Sequence, residues 1–266
     1  MPNSPAGCGR KIGPFPCCSV VRGDCLELMN PLGKLMCECG ADVTGEGGLY
    51  HCIAGHENRE TGMDGVLVVT DPPYGMEFRS NHRTVKYAAI VGDESLPLEA
   101  IQRAISIGDC GAYVFCRWDN LSDMPKPKSV IAWVKNNWSM GDLKHEHGRQ
   151  WEACCFYPGP HHAFIERIPD VIHADRTGNE LHPTQKPESL METLIAANSA
   201  QIIIDPFCGS GTTLVAAKKL GRHFLGFEID PKHVATAQDR LARVDAQPSL
   251  FTEKPLQLTL DTPENL

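Results

Sequence analysis

Two short segments carry residue types that could do chemistry. Asp71-Pro72-Pro73-Tyr74 follows the apolar run VLVVT, and Asp205-Pro206-Phe207-Cys208-Gly209-Ser210-Gly211-Thr212-Thr213 begins where the run IIID ends. In the first, consecutive prolines fix φ and remove two backbone donors. The turn therefore presents the Asp71 carboxylate and the carbonyls of Asp71 and Pro72 as acceptors. With the ring of Tyr74 as a platform, these suit the amino group of a planar base that has left its stack. Taken by itself, the tetrapeptide is as readily a plain Asp-Pro-Pro turn. In the second segment, Gly209 and Gly211 permit positive φ and close backbone approach, and Thr212 and Thr213 open a helix with unsatisfied N–H groups. No lysine precedes the threonines, as a Walker-type phosphate loop requires, and the third glycine of a dinucleotide fingerprint is missing. An acid, Asp205, opens the turn instead, which suits a ligand bearing an ammonium group. Phe224-Leu225-Gly226-Phe227-Glu228 is then a second strand ending in an acid, and a carboxylate there can accept both hydroxyls of a ribose. Either acid alone reads as a cap or a surface charge; the pair, one βαβ unit apart, argues for a site.

The elements that must position these turns are legible as apolar runs. Residues 66–70, 112–116, 202–204 and 224–227 are short, continuously apolar and bounded by turn residues, the pattern of buried parallel strands, and 130–134 and 153–157 are further strands. Helices are expected over 98–107, 188–198, 212–220 and 231–244, with a short one at 25–29; Pro187 and Pro231 stand where proline is tolerated at a helix start. Alternating strands and helices predict an α/β fold with an open, mostly parallel sheet covered on both faces. The composition agrees: 266 residues, 42% hydrophobic and 22% charged, suffice for one sizeable domain and argue against extensive disorder. No apolar run approaches the roughly 20 residues of a membrane helix, and the N-terminus lacks the apolar core of a secretory signal, so an intracellular, cytoplasmic protein without disulfides is expected. A net charge of -8 argues against coating a polyanion through overall charge. A local basic patch such as Arg79, His82, Arg83 and Lys86 remains compatible with gripping phosphates.

At these motifs the chain resembles the amino-group DNA methyltransferases that use S-adenosylmethionine. Asp71-Pro72-Pro73-Tyr74 matches their catalytic motif, Asp205 to Thr212 their methyl-donor loop, and His182-Pro183-Thr184-Gln185-Lys186-Pro187 a third motif that helps enclose the donor. The catalytic loop precedes the donor loop, the order of the permuted β group. Gly23-Asp24-Cys25, Trp133-Val134-Lys135 and Gln150-Trp151-Glu152 resemble further family segments, so the likeness spans 20–244 apart from an insertion. The resemblance implies a Rossmann-like methyltransferase domain over 20–246. Asp71 and the Pro72 carbonyl would accept the hydrogens of the target amine, with Tyr74 stacked on the base. Asp205 and Glu228 would hold the methionine amino group and ribose hydroxyls of the donor, Asp24 its adenine, and Phe207, Gly209, Gly211, Thr212, Thr184 and Lys186 would line the same pocket. Aspartate rather than serine at position 71 resembles adenine-N6 more than cytosine-N4 members. The implied activity is site-specific adenine-N6 methylation of double-stranded DNA with base flipping, of the restriction-modification kind. Cytosine-N4 transfer would use the same site, whereas a nonenzymatic DNA-binding module on this scaffold would not need Asp71, Tyr74, Asp205, Gly209, Gly211 and Glu228 intact. Cytosine-C5 chemistry needs a Pro-Cys nucleophile after a core strand; Pro16-Cys17 precedes the fold and does not qualify.

Residues 1–19 are expected to be an extension and 247–266 a loosely held tail. The basic residues Arg79, Arg83, Lys144 and Arg149 are candidate DNA contacts. Seven of the twelve cysteines precede residue 53. Within the Gly- and Cys-rich insertion 32–62, Cys37-x-Cys39, a twelve-residue spacer and Cys52-x3-His56 resemble a zinc ribbon, with structural zinc bound by Cys37, Cys39, Cys52 and His56. Monomer and dimer are equally compatible with these motifs.

Overall fold

The computed structural model describes residues 11–33, 43–44, 51–52, 65–75, 94–138, 144–176 and 185–246. In chain order the elements are β1 (Lys11–Ile12), β2 (Phe15–Pro16), β3 (Ser19–Arg22), α1 (Cys25–Met29), β4 (Val43–Thr44), β5 (His51–Cys52), β6 (Val66–Thr70), α2 (Leu98–Ile107), β7 (Gly111–Cys116), β8 (Ser129–Val134), β9 (Trp151–Tyr157), β10 (Val171–His173), α3 (Glu188–Ala196), β11 (Ile202–Asp205), α4 (Thr212–Lys219), β12 (His223–Glu228) and α5 (Pro231–Ala246). Eight strands form one sheet in the order β10-β8-β9-β7-β6-β11-β12-β3, and all neighbours pair parallel except around β9, which runs against β7 and β8. The expected α/β architecture, a mostly parallel sheet covered by helices on both faces, is the observed one.

The alternation of side chains along each strand explains the two layers. Leu67 and Val69 of β6 join Phe115, Phe224 and the buried faces of α3 and α4 in one cluster. Val68 of the same strand joins Val114, Leu225, Phe227 and the α2 residues Ile101 and Ala104 in the other. Strands buried on both faces have no polar side, which is why they read as continuous apolar runs.

Two strands of the eight-stranded sheet escaped the sequence reading. β3 is a half-buried four-residue edge strand and β10 a three-residue edge strand with one buried side chain, so neither offers a long apolar run. Residues 11–18, expected as part of an extension, pack against the domain core. Ile12 and Cys17 are buried, and the ring of Phe15 meets that of Phe227 edge-on at 5.3 Å. In the insertion, β4 and β5 pair antiparallel. Cys37, Cys39 and His56 lie outside the described residues, as do Arg79, Arg83, Thr184 and the tail 247–266. Among the described residues, no helix is long and apolar enough to cross a membrane.

Candidate active site

The order β6-β11-β12-β3 gathers the motifs. These four strands are parallel neighbours, so their carboxyl ends lie along one edge. Asp71 follows β6, Asp205 ends β11, Glu228 ends β12 and Asp24 follows β3 as the N-cap of α1. From β6 the chain moves outward through α2 to β7, and from β11 it moves the opposite way through α4 to β12. The crevice between β6 and β11 is thus a topological switch point, where open α/β sheets bind ligands.

The turn after β6 is held from three sides. Tyr74 Oη donates to Asp71 Oδ1 at 2.5 Å, Lys186 Nζ donates to Asp71 Oδ2 at 2.5 Å and to Tyr74 Oη at 3.1 Å, and Asn120 Nδ2 donates to the Tyr74 carbonyl at 2.9 Å. Gly75 closes the turn at φ +71°, where an added Cβ would meet the Leu96 nitrogen at 2.8 Å. The Lys186 ammonium lies on the Asp71 turn. Only 4% exposed, it also pairs with Glu152 Oε2 at 3.2 Å, and Glu152 pairs with Lys135. Burial works against the ammonium, but Asp71 and Glu152 outweigh it and hold the Lys186 pKa above the ordinary value. Burial likewise opposes the charge of Glu152, yet Lys186 and Lys135 bring its pKa down to about 2. The result is an alternating chain, Lys135, Glu152, Lys186, Asp71, that fixes the carboxylate facing the crevice. A carboxylate offers about four acceptor positions, so Asp71 keeps acceptor capacity beyond these two bonds.

The second corner adjoins the first. Thr70 Oγ1, at the end of β6, donates to Asp205 Oδ1 at 2.7 Å, and the same oxygen accepts from Phe207 N at 3.1 Å. Asp205 is 3% exposed, and burial pushes its carboxyl up to about 6 despite bonds from Thr213, Thr70 and the Phe207 amide. Gly209 (φ +51°) and Gly211 (φ +82°) turn the chain into α4, and Gly209 N donates to Glu228 Oε2 at 2.9 Å. Glu228 Oε1 accepts from Asp230 N at 2.8 Å, which aims the carboxylate back over the glycine loop. Asp24 Oδ1 caps α1 through Leu26 N at 2.7 Å.

Three contributors were missed in the sequence. Thr70 looks like an ordinary strand end, and Glu152, quoted only within a family-like segment, stands just ahead of the run 153–157 read as a strand. Arg240 is 8% exposed, donates to Ser210 O at 2.7 Å, and reaches Thr212 Oγ1 at 3.1 Å and Glu188 Oε1 at 2.6 Å. Its signal was its place on the apolar stripe Val234, Ala237, Leu241 of α5, where an unpaired guanidinium would be costly. Of the basic candidates, Lys144 is exposed and Arg149 pairs with Glu146 at 3.0 Å.

Chemically, one edge of the sheet offers acceptors beside an aromatic ring, a buried carboxylate, and a glycine turn under a second carboxylate. Comparison with known proteins meets this arrangement at several points. A family model described as DNA methylase matches residues 132–239. YubD of Escherichia coli (strain K12), whose name assigns it to the methylases, is 30% identical over 195 residues, 67% of this chain and 82% of YubD. The Type II methyltransferase M.HinfI of Haemophilus influenzae is 40% identical over 77 residues, 28% of this chain and 21% of that protein. The match to the Type II methyltransferase M2.DpnII of Streptococcus pneumoniae, 50% identical over 62 residues, covers 23% of each chain. The aligned segment thus spans under a quarter of either Type II enzyme. Among solved structures, the M1.HpyAVI–SAM complex aligns with 84% of this chain and 99% of its own at a TM-score of 0.56 and 22% identity. The PvuII DNA methyltransferase, cytosine-N4-specific, aligns over 88% of both at 0.55 and 15%. At such identities these two show a shared fold.

Proposed function

We propose that this chain, which belongs to the DNA methylases of the N6/N4 type, transfers a methyl group from S-adenosylmethionine to the exocyclic N6 of adenine in DNA. One observation carries the reading: the Asp71 turn and the Asp205 loop end adjacent parallel strands and are bridged by the Thr70–Asp205 hydrogen bond. Two corners so joined can serve one reacting pair of atoms.

The residues fit the donor. Buried Asp205, its carboxyl raised to about 6 by desolvation, suits the methionine ammonium group. Glu228, each oxygen already accepting one amide, retains acceptor capacity for two ribose hydroxyls. Phe207, Gly209, Gly211 and Thr212 would wall the same pocket, with Asp24 toward the adenine; Thr184, assigned to this pocket by motif, lies outside the described residues. When bound, S-adenosylmethionine supplies a methyl already activated by its sulfonium charge.

The protein's part is positioning and charge stabilisation. The exocyclic nitrogen is a poor nucleophile because its lone pair is delocalised into the ring. Accepting its hydrogens at the Asp71 carboxylate and the Pro72 carbonyl favours the pyramidal nitrogen that attacks and stabilises the positive charge developing there. Asp71 receives the proton afterwards. Burial outweighs the Lys186 ammonium and holds the Asp71 carboxyl above the ordinary carboxylate range, and a carboxylate suffices as acceptor because the product ammonium is strongly acidic. A base inside a duplex cannot reach this crevice, so the target is flipped out, with Tyr74 as its stacking surface. Aspartate at position 71 favours adenine as substrate, and the Type II names of two relatives favour a role in restriction-modification.

The test is incubation of the full chain with isotopically labelled donor and mixed-sequence duplex DNA, followed by nucleoside mass spectrometry. Labelled N6-methyladenine is expected. Labelled N4-methylcytosine would overturn the adenine assignment, and no labelled nucleoside over a range of sequences would favour the nonenzymatic DNA-binding reading.

A further inference from the structure

A second constellation lies at the opposite end of the same strands. β2 ends at Pro16, and Cys17 and Cys18 lead into β3. Cys18 has φ +59°, and it is the one non-glycine residue with positive φ among those described. For an L residue this conformation is unfavourable and persists only where the surroundings impose it. Consecutive side chains of an extended chain point to opposite sides. The left-handed turn at Cys18 cancels that alternation and brings the two sulfurs to 3.3 Å, well beyond the roughly 2.05 Å of a covalent S–S bond. The turn is pinned by Cys18 N donating to the Phe224 carbonyl at 2.8 Å, after which Ser19 pairs with Leu225. That register brings in His223, the first residue of β12, more than 200 positions away in sequence. Its Nδ1 lies 3.1 Å from Cys17 Sγ and 3.9 Å from Cys18 Sγ.

We propose that Cys17, Cys18 and His223 bind a zinc ion. The three separations define a circle with a radius of about 2.0 Å, so an ion can stand within the usual ~2.3 Å of each sulfur and ~2.0–2.1 Å of the nitrogen without moving the backbone. Two thiolates and a neutral imidazole match a borderline-soft ion that prefers tetrahedral S and N ligands, whereas calcium and magnesium take oxygen. Three protein ligands leave a fourth position for water. Glu228 and Asp24 mark the carboxyl ends of β12 and β3, and this cluster stands at their amino ends, so the ion works away from the chemistry. It staples the hairpin β1–β2 and the edge strand β3 to β12, joining the start of the chain to its last strand. This site shares no ligand with the Cys37, Cys39, Cys52 and His56 set.

The test uses the full-length protein from zinc-supplemented cultures, stripped of loose metal on a chelating resin and analysed for zinc per chain. Cys18→Ser and His223→Gln are each expected to hold one equivalent less than the wild type. His223→Cys, which keeps a ligand of the right kind, should retain that equivalent, and so should the double variant Cys37→Ser/Cys39→Ser. In the double variant, cobalt(II) should produce thiolate charge-transfer absorption that disappears when Cys18→Ser is added. Binding of labelled S-adenosylmethionine confirms that each variant is folded. Equal zinc in folded wild type, Cys18→Ser and His223→Gln would overturn the proposal. So would loss of the equivalent in the Cys37/Cys39 variant alone, or a Cys17–Cys18 disulfide, about two mass units light, in freshly purified protein.

Discussion

Asp71 acts within a chain of buried charges, and removing its neighbours tests that directly. Lys186→Met leaves Asp71 and Glu152 without the ammonium they share; deleting one partner of a buried pair costs about 3–5 kcal/mol. Urea unfolding at pH 7 should show a loss in that range, and a change below about 1 kcal/mol would mean the pairing is not needed to hold the turn. Asp205 gives the pH dependence. Burial pushes its carboxyl up to about 6 in the free fold, and the proposed contact with the donor's ammonium group requires the charged form. Affinity for S-adenosylmethionine should therefore fall about tenfold from pH 7 to pH 5 in calorimetric titrations; a flat profile would remove Asp205 from the donor site. The sign is opposite for the free protein. Because its folded pKa is raised, Asp205 favours the fold below 3.8, and that contribution is lost as pH climbs to about 6. Asp71, Tyr74, Asp205 and Glu228 were legible because each sits in a local motif whose residue types state their chemistry. Lys186 was legible as a motif residue, but only the tertiary fold shows that its ammonium reaches back 115 positions to Asp71.

The elements position these residues through a few exacting contacts. Gly211 begins α4 at φ +82°, and a Cβ there would lie 2.8 Å from that of Ala237 on α5. Gly221 is at φ +68° with nothing within 4 Å of an added Cβ, so it serves as the control for backbone strain alone. Gly211→Ala should destabilise the protein by about 1–3 kcal/mol more than Gly221→Ala, and only the former should weaken donor binding. Equal effects in denaturant melts would show that the α4–α5 contact does not set the loop. The glycine turn was evident from its spacing, and so was the helix that follows. The clamp on it was not: Arg240's place on the apolar stripe of α5 hints at burial, but what it grips is set only when α5 folds against the loop. β3 and β10 were hidden for a related reason, since short edge strands bury too little to impose an apolar pattern.

For the whole molecule, strand order is what turns separate motifs into a site. Asp71 and Asp205 are 134 residues apart, yet β6 and β11 are hydrogen-bonded neighbours running in the same direction. Strand–helix alternation foretold a parallel sheet, but the insertion of β11 and β12 between β6 and β3 is a topological fact that no single segment states. If this adjacency makes one active centre, chemistry and donor binding must separate by residue. The most direct measurement is transfer of a tritiated methyl group to duplex DNA by wild type, Asp71→Ala and Asp205→Ala, with donor dissociation constants determined on the same samples. Asp71→Ala should bind the donor within about threefold of wild type and lose roughly a thousandfold in kcat, the scale of a deleted transition-state contact. Asp205→Ala should lose donor affinity. Methyl transfer by Asp71→Ala at the wild-type rate, or unchanged donor binding by Asp205→Ala, would contradict a shared centre at this edge of the sheet.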